Sequence, residues 1–142
     1  NTETRKFELK KNNFYIGDVQ TTSITNTCAH DYSKTPVVVL IGSATVSSGS
    51  ITAITFKQRP NTFFIGEATA DGYSTGNEYF FFGNNFMINL ATEFNQDRKH
   101  NIYKNSILPD KFIKAGDDFD KLLNDEKIKA ALLWLANANP LK

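Results

Sequence analysis

Apolar residues fall in short clusters along the chain, and the spacing inside each cluster selects the element it can form. Residues 7–9 and 14–19 are aromatic and β-branched runs separated by Lys10, Lys11, Asn12 and Asn13, which predicts a hairpin with a polar turn. Residues 21–35 are dominated by Ser, Thr, Asn and Asp, side chains that compete for backbone hydrogen bonds, so a loop is expected there. Pro36 then opens the unbroken run Val37-Val38-Val39-Leu40-Ile41 before Gly42, the pattern of a central strand covered on both faces. Ser47 or Ser48 starts a helix whose Ile51, Ile54 and Thr55 recur at helical spacing until Pro60. Thr62-Phe63-Phe64-Ile65 is the next strand, ended by Gly66, and the three elements make a βαβ unit.

Beyond it, residues 67–77 are rich in Thr, Ser and Gly and predict a ligand-facing loop. Residues 78–82 and 86–92 flank Gly83-Asn84-Asn85 as an antiparallel hairpin, whose aromatic run from Tyr79 to Phe82 is expected to divide between sheet and core packing. A polar stretch follows at 95–105, then a turn at Leu108-Pro109-Asp110. Asp117, Asp118 and Asp120 suit the positive end of a helix dipole, and a last helix over 125–136 places Ile128, Ala131, Leu132 and Leu135 on one face. Both helices are expected to cover the sheet. The fold class is therefore α/β, as one unit, with a hairpin and loop over 1–35 and the main core over 36–142.

Composition narrows the function. With 40% hydrophobic and 13% aromatic residues among 142, the chain is too apolar to remain disordered. Sixteen basic against 15 acidic residues leave a net charge of +1 and no basic stripe, which argues against nucleic acid as a partner. The longest apolar run, 130–136, falls far short of the roughly 20 residues of a membrane span. One cysteine, Cys28, excludes an internal disulfide framework and a cysteine zinc cluster, and two histidines are too few for a histidine-rich metal site. No metal and no cofactor are expected.

Thr45-Val46-Ser47-Ser48-Gly49-Ser50 lies between a strand and a helix, where open α/β sheets present ligands and nucleophiles. A serine there carries its hydroxyl at the strand end, beside free helix N–H groups that can stabilise an oxyanion. The other reading of the same residues is a helix cap. Local sequence leaves both open.

Four separated segments bear a resemblance that favours the first. Val37-Val38-Val39-Leu40 with Thr45-Val46-Ser47-Ser48-Gly49, Phe56-Lys57 with Arg59-Pro60-Asn61-Thr62, Ile65-Gly66-Glu67-Ala68-Thr69-Ala70, and Asp97-Arg98 with Tyr103 and Pro109-Asp110 occur in this order. Together they resemble the tail-specific, or C-terminal-processing, serine peptidases, in particular the nisin-resistance-like branch. The resemblance implies a partial crotonase-like or ClpP-like core, with Ser47 as nucleophile and the N–H of Ser48 as an oxyanion donor. Because the 67–77 loop follows the strand next to the one that delivers Ser47, it is expected to border the peptide groove, with Glu67, Thr69, Gly72, Thr75 and Asn77 as substrate-binding positions. The resemblance covers only the C-terminal part of the family's catalytic domain, so a longer protein is expected.

Several positions depart from the family pattern. Many members use a lysine as base in the loop after the second strand, where this chain has Gly72. The nisin-resistance-like branch uses a histidine far upstream of the serine, a position that would lie before Asn1. His30 and His100 both read as surface histidines. Ser50 stands where the family has an acidic residue, and Ile102, Tyr103, Lys104 and Asn105 occupy a stretch where fuller relatives carry a glutamate. Cys28 reads as an incidental thiol, and the acidic residues from Asp117 to Glu126 as solvated helix starts.

The function expected from the resemblance is a serine endopeptidase of the bacterial cell envelope or secreted space, acting on peptides or proteins, with its histidine base outside this chain. The alternatives are a non-catalytic peptide-binding module of the same fold and a purely structural fragment. Absence of the neighbouring strands is expected to leave the 37–41 strand exposed and to favour a homodimer.

Overall fold

The computed structural model describes residues 5–10, 13–23, 25, 31–114 and 116–138. Cys28 and His30, and the readings attached to them, lie outside the described residues. The chain, read from sequence as one unit, divides into two compact units at Ser33/Lys34.

The first unit is a three-stranded antiparallel meander of β1 (Phe7–Lys10), β2 (Asn13–Ile16) and β3 (Val19–Ser23). This corrects the expected two-stranded hairpin and the loop beginning at residue 21. The run from Phe14 to Val19 is broken by Gly17, whose φ of 61° turns the chain within two residues, so Ile16 faces Val19 across a new ladder. Phe7 and Phe14 stack with ring centroids 6.2 Å apart. Residues 5–8, 13–23, 25 and 31–33 of this unit are all exposed or half-buried.

The second unit is mixed α/β. Strands β4 (Val37–Ile41) and β5 (Thr62–Gly66) are parallel and in register from Val37 opposite Thr62 to Ile41 opposite Gly66. Helix α1 (Ser48–Phe56) joins them, which bears out the βαβ reading. A third parallel strand, β8 (Lys111–Phe112), pairs with the end of β5, so the order is β4-β5-β8. Among the described residues β4 is thus an edge strand and β5 the central one, contrary to expectation. The short β8 carries no hydrophobic run for a sequence reading to detect. It is held by Asp110, whose N–H donates to the Phe64 carbonyl (2.9 Å) while its carboxylate accepts the Phe64 N–H (2.8 Å).

Strand alternation gives the sheet two faces. On one, Ile41 and Phe64 pack with Ala53 and Ile54 of α1 and with Ile107, and Val39, Phe56 and Tyr103 close the cluster. On the other lies helix α2 (Glu126–Ala138), whose Trp134 ring stacks on Phe63 at 5.3 Å between centroids. The inward positions of α2 are Lys127, Ala131 and Trp134, while Leu132 of the expected face is exposed. The acidic segment at 117–120 does not open a helix, so α2 alone of the two expected helices covers the sheet; a single 3-10 turn at Leu122–Asn124 precedes it. Asp118 and Asp125 accept backbone N–H bonds from nearby residues there, and such local bonding competes with a regular helix.

The hairpin of β6 (Thr75–Phe82) and β7 (Phe86–Phe94) is longer than its sequence signal and forms a separate two-stranded sheet. Its aromatic residues Tyr79, Phe80, Phe81 and Phe82 are all exposed, contrary to the expected division between sheet and core. Among the described residues no helix is long and apolar enough to cross a membrane.

Candidate active site

The strand-to-helix connection after β4 is built from small, hydrogen-bonded turns. The Thr45 N–H donates to the Gly42 carbonyl (2.8 Å), and the Gly42 N–H donates back to the Thr45 hydroxyl (3.1 Å). Gly49 N–H closes a second turn on the Val46 carbonyl at 2.9 Å. Between these turns sits Ser47, with φ 51° and ψ −120°. A serine pays a steric penalty for that left-handed conformation, which occurs where a sharp strand-to-helix turn thrusts a nucleophile outward.

Ser47 occupies the N-cap position of α1, yet its side chain makes no capping hydrogen bond. It is exposed, and its hydroxyl is therefore presented to solvent at the C-terminal edge of the parallel strands. Ser48 is the first helical residue, so its N–H has no intrahelical carbonyl to bind and is left free at the helix N-terminus. Ser50 is fully buried, and its hydroxyl donates to the Thr45 carbonyl at 3.3 Å, tying the helix to the turn beneath Ser47.

The loop after β5 runs alongside. Glu67 N–H donates to the Ile41 carbonyl (3.0 Å) and Ala70 N–H to the Thr45 carbonyl (3.2 Å), two residues from Ser47. Gly66 makes this approach possible: with φ 128°, an added Cβ would lie 1.9 Å from the Ile41 carbonyl oxygen. Thr69 is buried and engaged with Ile107, its hydroxyl accepting the Ile107 N–H at 2.8 Å and its own N–H donating to the Ile107 carbonyl at 3.1 Å. That hydroxyl is committed to the fold. Gly72, at φ 74°, is exposed with open space around it. Thr75 and Asn77 lie on β6 instead of in the loop, with the Thr75 hydroxyl bonded to the Asn77 side chain at 3.2 Å.

A buried cation absent from the sequence reading supports this edge. Lys127, only 5% exposed in its side chain, reaches from α2 to Asp117 (2.9 Å) and Glu67 (3.5 Å), and its ammonium would lie 3.9 Å from a Cβ placed on Gly42. Burial works against its charge, but the two carboxylates outweigh that effect and hold its proton above the ordinary lysine range. Asp125 organises the approach: its carboxylate accepts the N–H groups of Ile128 (3.0 Å), Asp118 (3.1 Å) and Lys127 (2.8 Å). These bonds, that from Ile128 foremost, keep it below the usual carboxylate range. In sequence, Lys127 looks like one of many surface lysines; the one signal was its place on the inward stripe with Ala131 and Trp134.

Positioned bases are harder to find. His100 contacts the Gln96 side chain at 3.3 Å in an exposed turn. Arg98 of that turn donates to the Thr55 carbonyl at 3.0 Å, which ties it to the last turn of α1. Ser47 is at the opposite end of that helix, about 12 Å away along its axis. Among the described residues, no group of three or more His, Cys, Asp and Glu side chains has the arrangement of a metal site.

The other family segments have structural work. Asp97 accepts bonds from Asn101, Lys99 and the Tyr103 hydroxyl, the last at 2.9 Å. Burial opposes its charge, and these donors more than compensate, so its carboxyl stays below the usual range. Burial and the Asp97 carboxylate push the Tyr103 phenol upward.

The model of Peptidase family S41 matches residues 3–112. A nisin-resistance protein of Lactococcus lactis subsp. lactis is 40% identical over 78 residues, which cover 54% of this chain and 24% of that protein. A solved lipoprotein of Streptococcus agalactiae superposes with a TM-score of 0.57 at 29% identity, over 72% of this chain and 32% of its own. The chain thus spans about a quarter to a third of the length of these relatives. Matched over most of its length and sharing the expected nisin-resistance-like likeness, the chain belongs to Peptidase family S41.

Proposed function

We propose that this chain carries the nucleophile-bearing part of a serine endopeptidase with a partial crotonase-like or ClpP-like core. The observation that carries the reading is the Ser47 backbone: a non-glycine residue at φ 51° whose hydroxyl makes no capping bond. Gln58, Asn61, His100 and Asp117 also have positive φ, but only Ser47 combines it with a free hydroxyl at a strand-to-helix turn, the geometry of a nucleophile elbow. Ser47 Oγ attacks the scissile carbonyl and its proton passes to a base; the Ser48 N–H then stabilises the oxyanion, and the leaving amine takes the proton back. Water repeats the sequence on the acyl-enzyme. Glu67, Gly72, Thr75 and Asn77 border the groove for an extended peptide, while Thr69 holds the groove wall. The family resemblance supplies the base as a histidine from outside this chain, and the tie between the turn bearing His100 and the far end of α1 is consistent with it. The relatives' names favour a bacterial envelope or secreted location and peptide or protein substrates.

One observation favours a second reading, a peptide-binding module without catalysis. The position of the family's acidic residue holds a buried serine, leaving the first turn of α1 without an acidic side chain.

A fluorophosphonate probe separates the two, used with peptide substrates and with imidazole as a diffusible base. The enzyme reading expects no peptide turnover by the chain alone, slow labelling with imidazole, and none in Ser47→Ala. Labelling that persists in Ser47→Ala overturns the nucleophile assignment. Robust turnover without imidazole, abolished by Ser47→Ala, overturns the external base. A chain that binds peptides but never labels is the module.

A further inference from the structure

The β6–β7 hairpin is secured at its base and open along its length. Ser74 and Asn95 lock the base: Asn95 Nδ2 donates to the Ser74 carbonyl (2.8 Å) and the Ser74 hydroxyl to the Tyr103 carbonyl (2.6 Å). Above that point neither strand has a further sheet neighbour among the described residues. Phe80 pairs with Ile88, Phe82 with Phe86 and Glu78 with Leu90. Directly opposed residues and their i+2 neighbours share a face, so Phe80, Phe82, Phe86, Ile88 and Leu90 form one apolar surface with a single carboxylate at its base end. All five are exposed, Phe82 at 59% and Phe86 at 74%. The opposite face carries Tyr79, Phe81 and Met87 among Asn77 and Asn89, and is mixed in character.

We infer that the Phe80/Phe82/Phe86/Ile88/Leu90 face is a homodimer surface that packs against the same face of a second copy of this chain. A two-stranded sheet is marginal in water until one face is covered. The five residues leave on the order of 500 Å² of largely apolar surface open, so two copies face to face bury at most roughly 1,000 Å², the lower bound for a specific interface. The surface also avoids a like-charge clash. With the hairpins antiparallel about a two-fold axis, the two Glu78 carboxylates fall at opposite ends, on the wet rim, and only apolar side chains meet at the centre. The product is a four-stranded sandwich with the usual sheet spacing of about 10 Å. This surface is distinct from the 37–41 strand, whose exposure is the basis of the homodimer expected from sequence.

Sedimentation of the full chain between about 1 μM and 1 mM, the range of a transient interface, tests this. Wild type is expected to rise from one copy towards two. Phe86→Lys and Phe82→Lys should stay monomeric throughout, and Phe81→Lys should dimerise like wild type. Phe81 is 73% exposed, so it matches Phe86 in everything but its face. These exposed substitutions leave the core intact, which unchanged circular dichroism verifies. A wild type that stays monomeric overturns the inference. So does a dimer that survives Phe86→Lys, or one that Phe81→Lys abolishes equally.

Discussion

Replacing Ser47 with alanine and with glycine distinguishes a strained nucleophile from a helix cap without any activity measurement. If the hydroxyl capped α1, Ser47→Ala would cost about 1 kcal/mol and Ser47→Gly a few tenths. The observed geometry moves both values upward, so that alanine becomes neutral and glycine stabilising. The Ser47 side chain makes no capping bond, so Ser47→Ala removes nothing that holds the helix and should change stability by less than about 0.5 kcal/mol. Glycine relieves a backbone conformation worth about 1–3 kcal/mol in strain, offset by about 0.5–1 kcal/mol of added chain entropy in the unfolded state. Ser47→Gly should therefore stabilise the protein by about 1 kcal/mol, a rise in Tm of roughly 3–6 °C for a domain of this size. Urea unfolding gives both values, and an unchanged slope confirms that the same structure is lost. A Ser47→Ala variant weakened by about 1 kcal/mol, with Ser47→Gly no more stable than wild type, refutes the strained-nucleophile argument.

Three further outcomes follow from the groups around this edge. Lys127→Met should cost about 1–3 kcal/mol, below the value for a fully buried pair because Asp117 is 60% exposed and regains water while Glu67, at 20%, does not; adding Glu67→Gln should recover part of the loss in a double-mutant cycle. Because the folded-state pKa of Lys127 is raised, its contribution is complete below the ordinary lysine range and fades as pH rises through the folded value, so mutant and wild type should converge in alkaline urea titrations. Gly66→Ala sets a Cβ 1.9 Å from the Ile41 carbonyl oxygen and should cost at least about 3 kcal/mol, read as loss of the cooperative transition of residues 34–142. Asp97→Asn should remove part of the acid limb of the stability curve: the depressed Asp97 pKa contributes stability above the ordinary aspartate value that is lost as pH falls through the folded one, and the variant has no such proton to take up.

Elements set by local spacing were legible from the chain. The β-branched run at Val37–Ile41, the helix between the serines and Pro60, and the Thr62 strand all form where their periodicity and breakers put them. The order of the matched segments identified the family. At Ser47, however, the local pattern left both cap and nucleophile open, because both place a serine at a helix start. The proposed nucleophile rests on backbone angles and a missing capping bond, and those depend on the turns closed by Thr45 and Gly49.

Other features belong to tertiary structure alone. The edge position of β4 and the existence of the two-residue β8 rest on pairing between segments over 40 residues apart in the chain, with Asp110 reaching the backbone of Phe64. Thr69 looked like a groove residue by its neighbours, and only its contact with Ile107 shows that its hydroxyl is spent on the fold. Lys127 is the strongest case. Its charge gave no reason to expect burial, since an isolated buried ammonium is prohibitively costly. That cost is met by two carboxylates from separate loops, Glu67 after β5 and Asp117 before α2, which only the folded chain brings together. Local periodicity determines where strands and helices form; the backbone strain at Ser47 and the pairing of Lys127 arise from contacts between distant segments, which no short window of sequence contains.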